Sequence, residues 1–255
     1  MKRNDSYYHH YFARPARLKQ IVLGAFLGLS YVFRIPIEVI TRRNFGERYF
    51  NIVLSVLIGV VLLAVPYYGA GRWTGHRWGT MLGTFGTWYA YTAYYLYCVY
   101  LRYREILTLP SVWDFKRFSL SEGKPMDFFI KAGTKNKKVN PRYISTVLEP
   151  GLFIIGGVIL AFMKQPIGYI FILCGLIYSI GYIAAYAMTD DYFMGVIDRK
   201  TVNEELFRIF VMDKEPERGF EFHGKRPKDK ASAKRLFEDY ISDIPAEDIE
   251  YEEVN

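Results

Sequence analysis

The chain has 255 residues, 33 Lys and Arg against 26 Asp and Glu for a formal net charge of +7, and 18% aromatic side chains. Its mean hydropathy of +0.02 averages strongly apolar blocks with strongly charged ones, a division foreign to both an ordinary soluble domain and a disordered chain. The basic excess fits loops facing an anionic leaflet rather than nucleic acid, and Cys98 and Cys174, both in apolar stretches, argue against a disulfide framework or a thiolate metal site.

Residues 1–20 are a basic, aromatic segment without the small-residue cleavage site of a leader. Residues 21–33 are apolar, and Arg34, Pro36 and Glu38 then interrupt the run. Thirteen residues at 1.5 Å each cover about 20 Å of a hydrocarbon core roughly 30 Å thick. With basic residues on both flanks, 21–41 is predicted to be an interfacial or re-entrant helix. A full crossing there would need Arg34 and Glu38 to pair at i,i+4 inside protein.

Residues 50–68 carry no charge over 19 positions and predict the first spanning helix. A short Gly- and Trp-rich link leads to a second span at 80–101, closing a transmembrane hairpin over 50–101. Residues 102–142 hold ten Lys and Arg against four acids and form a basic cytoplasmic loop. A second hairpin spans 143–188. Its first span is 151–163, extended backwards by the ISTVL lead-in, and its second is 167–188, with a tight turn at Lys164, Gln165 and Pro166 between them. Residues 189–255 are read as a cytoplasmic extension, beginning with an amphipathic helix and ending in an acidic tail at 238–255. The fold class is thus an all-α integral membrane protein with four transmembrane helices. Lys and Arg concentrate in the N-terminal segment, the inter-hairpin loop and the stretch after Met188, which puts both termini in the cytoplasm. A bacterial inner membrane is the expected location, with the mitochondrial inner membrane as the alternative.

Signatures of phosphate-loop, zincin, dinucleotide-binding and serine-hydrolase chemistry are missing, and no cofactor is expected. The adjacent pair His9 and His10 is a poor metal candidate on a terminal segment. Asp190, Asp191 and Asp198 are the one acidic cluster that could bridge Mg²⁺ to a lipid phosphate. The plainer reading is that they mark the helix's exit into water. Small residues at helical spacing indicate close helix packing: Gly24 and Gly28; Gly79, Gly83, Gly86 and Ala90; and Gly168, Gly175 and Gly181. Seven tyrosines lie between 89 and 103. Tyr91, Tyr94 and Tyr95 among them are candidates for lining a polar cavity, unless neighbouring helices take their hydroxyls.

These features together predict a non-catalytic membrane subunit of a larger assembly of the secretion, conjugation or respiratory type. Its partners would be membrane lipid, other membrane subunits or further copies of itself, and a soluble partner at 102–142 or 238–255. A homo-oligomeric pore is the alternative, and a lipid-phosphate enzyme a more distant one.

Overall fold

The computed structural model describes residues 17–74, 78–110, 116–131 and 139–225, with Asp229, Ala231, Ser232 and Arg235 beyond them. The predicted sites at His9, His10 and the acidic tail, and the side chain of Gly79, fall outside the described residues. The fold is mostly helical. In chain order it comprises α1 (Arg17–Thr41), β1 (Arg42–Arg43), α2 (Ile52–Thr74), α3 (Trp78–Thr108), β2 (Lys124–Pro125), the short α4 (Asp127–Lys131), α5 (Pro141–Phe162) and α6 (Ile167–Phe210). Three of these are long and apolar enough to cross a membrane: Ile21–Thr41 within α1, α5, and α6. The apolar run of α2, Ile52–Tyr68, is shorter. α3 has 31 residues, but its tyrosines dilute its hydropathy.

The chain separates into two compact units, one over Ala16–Ala187 and one built around the residues from Met188 onward. In the first unit, α1 covers the helix expected over 21–41, but the stretch apolar enough to cross a membrane is the whole of Ile21–Thr41 and not 21–33 alone. The interruption at Arg34, Pro36 and Glu38 does not end the helix, which runs unbroken for 25 residues. Arg34 and Glu38 pair one turn apart with Nε to Oε1 at 2.9 Å, so the charges that break the apolar run support the helix instead.

The prolines inside the other helices are accommodated in a specific way. A proline lacks the N–H that would bond the carbonyl four residues earlier. Pro66 so frees the carbonyl of Leu62, and the indole Nε1–H of Trp88 donates to it at 2.7 Å. Pro150 frees the carbonyl of Thr146, and the hydroxyl of Ser179 donates to it at 2.7 Å. Each proline thereby becomes a bond between neighbouring helices, α2 to α3 and α5 to α6.

Glycines set the closest approach of α5 and α6. A Cβ on Gly168 would lie 2.5 Å from the carbonyl oxygen of Gly157 and 2.6 Å from the amide nitrogen of Ala161. Only hydrogen fits there. The α5–α6 turn is completed by Lys164 in the left-handed region at φ 60°.

The linker between α1 and α2 is fastened to residues 116–131. Arg42 and Arg43 pair antiparallel with Pro125 and Lys124. The amides of Gly46 and Arg48 donate to the carbonyls of Ser121 and Ser119, and the amide of Met126 donates to the carbonyl of Thr41. Gly46 has no room for a side chain, since its Cβ would stand 2.2 Å from the Ser119 oxygen.

In the second unit the end of α6 packs against the chain that succeeds it. Val202 and Ile209 are buried, and the rings of Phe210 and Phe222 meet edge to face at 5.1 Å. The amide of Glu217 donates to the buried Glu205 carboxylate, and Arg208 forks onto Glu217. That guanidinium holds the Glu217 carboxyl below its ordinary range. A depressed carboxyl stabilises the fold above its unfolded pKa, so this contact persists at neutral pH and is lost as acid protonates Glu217.

The Gly168 contact makes a direct prediction. Gly168→Ala should lower the melting temperature of the detergent-solubilised protein by several degrees, overpacking of this kind costing roughly 1–3 kcal/mol. Gly28→Ala, where a Cβ meets nothing within 4 Å, should leave it unchanged.

Candidate functional site

The most unusual feature of the first unit is a set of charges at its centre. Arg34 and Glu38 project from the buried C-terminal half of α1, and Arg42 comes directly after in β1. The spacing i, i+4, i+8 puts alternating charge on one face. Facing them on α6 are Tyr178 and Tyr182, which with Tyr186 repeat the same four-residue spacing. Glu149 enters from α5. It opens the regular part of that helix directly after a π-helical turn at Ile144–Leu148. Such a turn inserts an extra residue and so rotates the side chains beyond it about the helix axis.

The groups form two ion pairs joined by one ring. Glu38 accepts from Arg34 Nε at 2.9 Å, from the Tyr182 hydroxyl at 2.9 Å and from the Tyr49 hydroxyl at 3.0 and 3.1 Å. Glu149 accepts from Arg42 Nη2 at 2.7 Å and Nε at 3.1 Å, and from the Tyr178 hydroxyl. The remaining Arg42 nitrogen, Nη1, reaches the half-exposed Glu122 at 2.8 Å. Tyr182 is shared, its ring centroid lying 3.8 Å from the Arg34 guanidinium carbon and 4.8 Å from that of Arg42. Glu38 is 2% exposed and Glu149 0%, so these bonds replace water almost entirely.

Burial gives the tyrosines a defined role. The Tyr49 phenol, in the linker before α2, is pushed well above its usual range by burial and then by the Glu38 carboxylate beside it. It therefore stays protonated and donates.

The chemistry is one of saturation. Each carboxylate already receives a bidentate or multiple set of donors and each is matched to an arginine, a group that does not titrate in proteins. The crevice next to Glu38, bordered by Tyr31, Phe45, Tyr49 and Asn51, has a volume of about 10 Å³, room for about one water. This centre fastens helices together, its carboxylates fully bonded by groups of the chain itself.

Comparison with known protein families, with characterised proteins and with solved structures finds no match. The site is therefore interpreted on its own geometry.

The residues singled out in the sequence are dispersed. Tyr91 and Tyr95 turn into the bundle, where their hydroxyls donate to the carbonyls of Pro36 at 3.1 Å and Ser55 at 2.8 Å. Tyr94 points away and is 51% exposed, so the three do not line one space. Gly168, Gly175 and Gly181 lie at tight contacts, the last against the Ser30 side chain. Gly24, Gly28, Gly83 and Gly86 face open space, and Ala90 is exposed. Asp191 and Asp198 are exposed and Asp190 half-buried along α6. Among the described residues no three His, Cys, Asp or Glu side chains gather where they could hold a metal.

In the sequence the Arg34–Glu38 pair stands only as the condition for a full crossing, and nothing local marks Arg42 and Glu149 as partners. A signal was available in the two matching four-residue ladders, Arg34/Glu38/Arg42 and Tyr178/Tyr182/Tyr186.

Removing one member of a buried pair leaves the other uncompensated, at a cost of roughly 3–5 kcal/mol. Arg42→Met alone should therefore sharply reduce the yield of monodisperse protein in gel filtration. Lys124→Gln, on the exposed face of the adjoining strand, should not.

Proposed function

We propose that the chain is a non-catalytic, polytopic subunit of a larger membrane assembly. It would have four spans in two hairpins, α2 with α3 and α5 with the first half of α6, and both termini on the cytoplasmic side. In this arrangement α1 lies across the cytoplasmic side of the bundle as an interfacial or re-entrant helix. Support comes from the C-terminal half of α1. At its start the Tyr31 hydroxyl donates to the carbonyl of Tyr49; at its end the carbonyl of Thr41 accepts from Met126. Residues 49 and 126 both belong to segments joining the same ends of the spans. A helix running along the membrane normal would separate its residues 31 and 41 by about 15 Å in depth.

The observation that carries the subunit reading is the outward face of α3. Gly83, Ala90 and Ala93 give way on that face to Tyr94, Tyr97 and Tyr100, the tyrosines 51%, 57% and 53% exposed. Hydroxyl-bearing side chains and bare backbone suit a neighbouring helix better than acyl chains, which satisfy no hydrogen bond. Contrast α2, whose outward residues are Val53, Leu57, Val60 and Val61. The pore reading draws less support, because Tyr91 and Tyr95 spend their hydroxyls on helix carbonyls.

Purification from native membranes in mild detergent, combined with mass spectrometry, tests the reading. Other integral membrane proteins should co-purify in fixed ratio, and the double substitution Gly83→Leu/Ala90→Leu should release them without loss of the chain itself. Recovery as a monomer, or as a homo-oligomer that conducts ions in liposomes, would count against it.

A further inference from the structure

Residues 116–131 expose four large apolar side chains in a segment rich in cations. Phe118 is 70% exposed, Phe128 69%, Leu120 45% and Ile130 39%. Around them stand Lys116, Arg117, Lys124 and Lys131 against two acids, and one of those, Glu122, is already committed to Arg42. Apolar groups this exposed would face water if the segment hung free in solution. The segment does not hang free. Its bonds to Thr41, Gly46 and Arg48, together with the pairing of β1 and β2, hold it at the end of α1 and a few residues before α2 begins.

We infer that residues 116–131 form an interfacial loop that binds anionic phospholipid headgroups, with Phe118 and Phe128 seated at the acyl boundary. The inference rests on the spanning arrangement proposed above. Two observations select this occupant. Aromatic side chains flanked by lysines match the boundary where acyl chains meet phosphates, since the rings partition into one layer and the ammonium groups into the other. The charge balance also favours a negative surface, a basic residue near an anionic leaflet contributing about 1 kcal/mol.

The test uses the full-length protein in nanodiscs, with single cysteines at Phe118 or Phe128 carrying an environment-sensitive fluorophore and a nitroxide-labelled lipid as quencher. The native Cys98 and Cys174 are buried and stay unlabelled. In discs containing phosphatidylglycerol, headgroup-level nitroxide should quench both sites about twofold more than in pure phosphatidylcholine, as an electrostatic attraction to the leaflet requires. The double substitution K124Q/K131Q, confined to exposed side chains, should abolish that difference while leaving the fold intact. Inorganic phosphate added to phosphatidylcholine discs should change nothing, and a response equal to that of the lipid would assign the loop to a soluble anion and overturn the proposal. A label at Leu57, exposed on α2, separates the two readings. If mid-chain nitroxide quenches Leu57 but neither loop site responds, the loop proposal fails alone; if Leu57 is not quenched, the spanning arrangement fails with it.

Discussion

Two arginines and two glutamates at the centre of an apolar bundle constrain everything around them. Leaving a single such charge buried without its partner is expensive, by roughly 3–5 kcal/mol. The four are tolerable only as a neutral, fully bonded set, and that requirement fixes the relative positions of α1, the α1–α2 linker, α5 and α6. Tyr182 shows how tightly the set is drawn, with both guanidiniums near its ring and its hydroxyl on Glu38. Loss of any member would expose the others to the same penalty, so the network discriminates against alternative packings of helices whose apolar faces could pair in many ways.

The rest of the first unit extends this principle of using every polar group. Carbonyls freed by Pro66 and Pro150 receive an indole and a hydroxyl from adjacent helices. Tyr91 and Tyr95, on a helix with too many tyrosines for a simple lipid-facing span, give their hydroxyls to neighbouring backbone. Polar groups here act as connectors between helices, in a setting where apolar surface alone gives little preference for one neighbour over another. Polar and apolar groups left on the surface are correspondingly informative, and they include the tyrosines on the outward face of α3 and the exposed rings of residues 116–131.

Much of the architecture was legible in the sequence because hydropathy blocks and Pro/Gly punctuation report directly on helices and turns. The helices at 50–68, 80–101 and 167–188 and the turn at Lys164–Pro166 can all be read this way. The helix over 21–41 was legible too, but not its span-length apolar stretch, since a charge pair and a proline inside an apolar run resemble a stop until a partner surface is known to receive them. Glu149 was hidden for a related reason. A carboxylate beside a proline at the start of an apolar run looks like a helix end at the water boundary, and only the lead-in through the π-helical turn makes it interior. The ladders at 34, 38 and 42 and at 178, 182 and 186 lie more than 130 residues apart, and complementarity over that separation becomes visible only when the fold brings them together.

A double-mutant cycle on Arg42 and Glu149 addresses the central claim most directly, with unfolding in mixed detergent micelles as the readout. If the pair is a structural clasp, Arg42→Met and Glu149→Leu should each destabilise strongly, and the double variant should recover most of the loss, giving a coupling of roughly 2–4 kcal/mol. Additive effects, or single substitutions that leave stability untouched, would contradict the account.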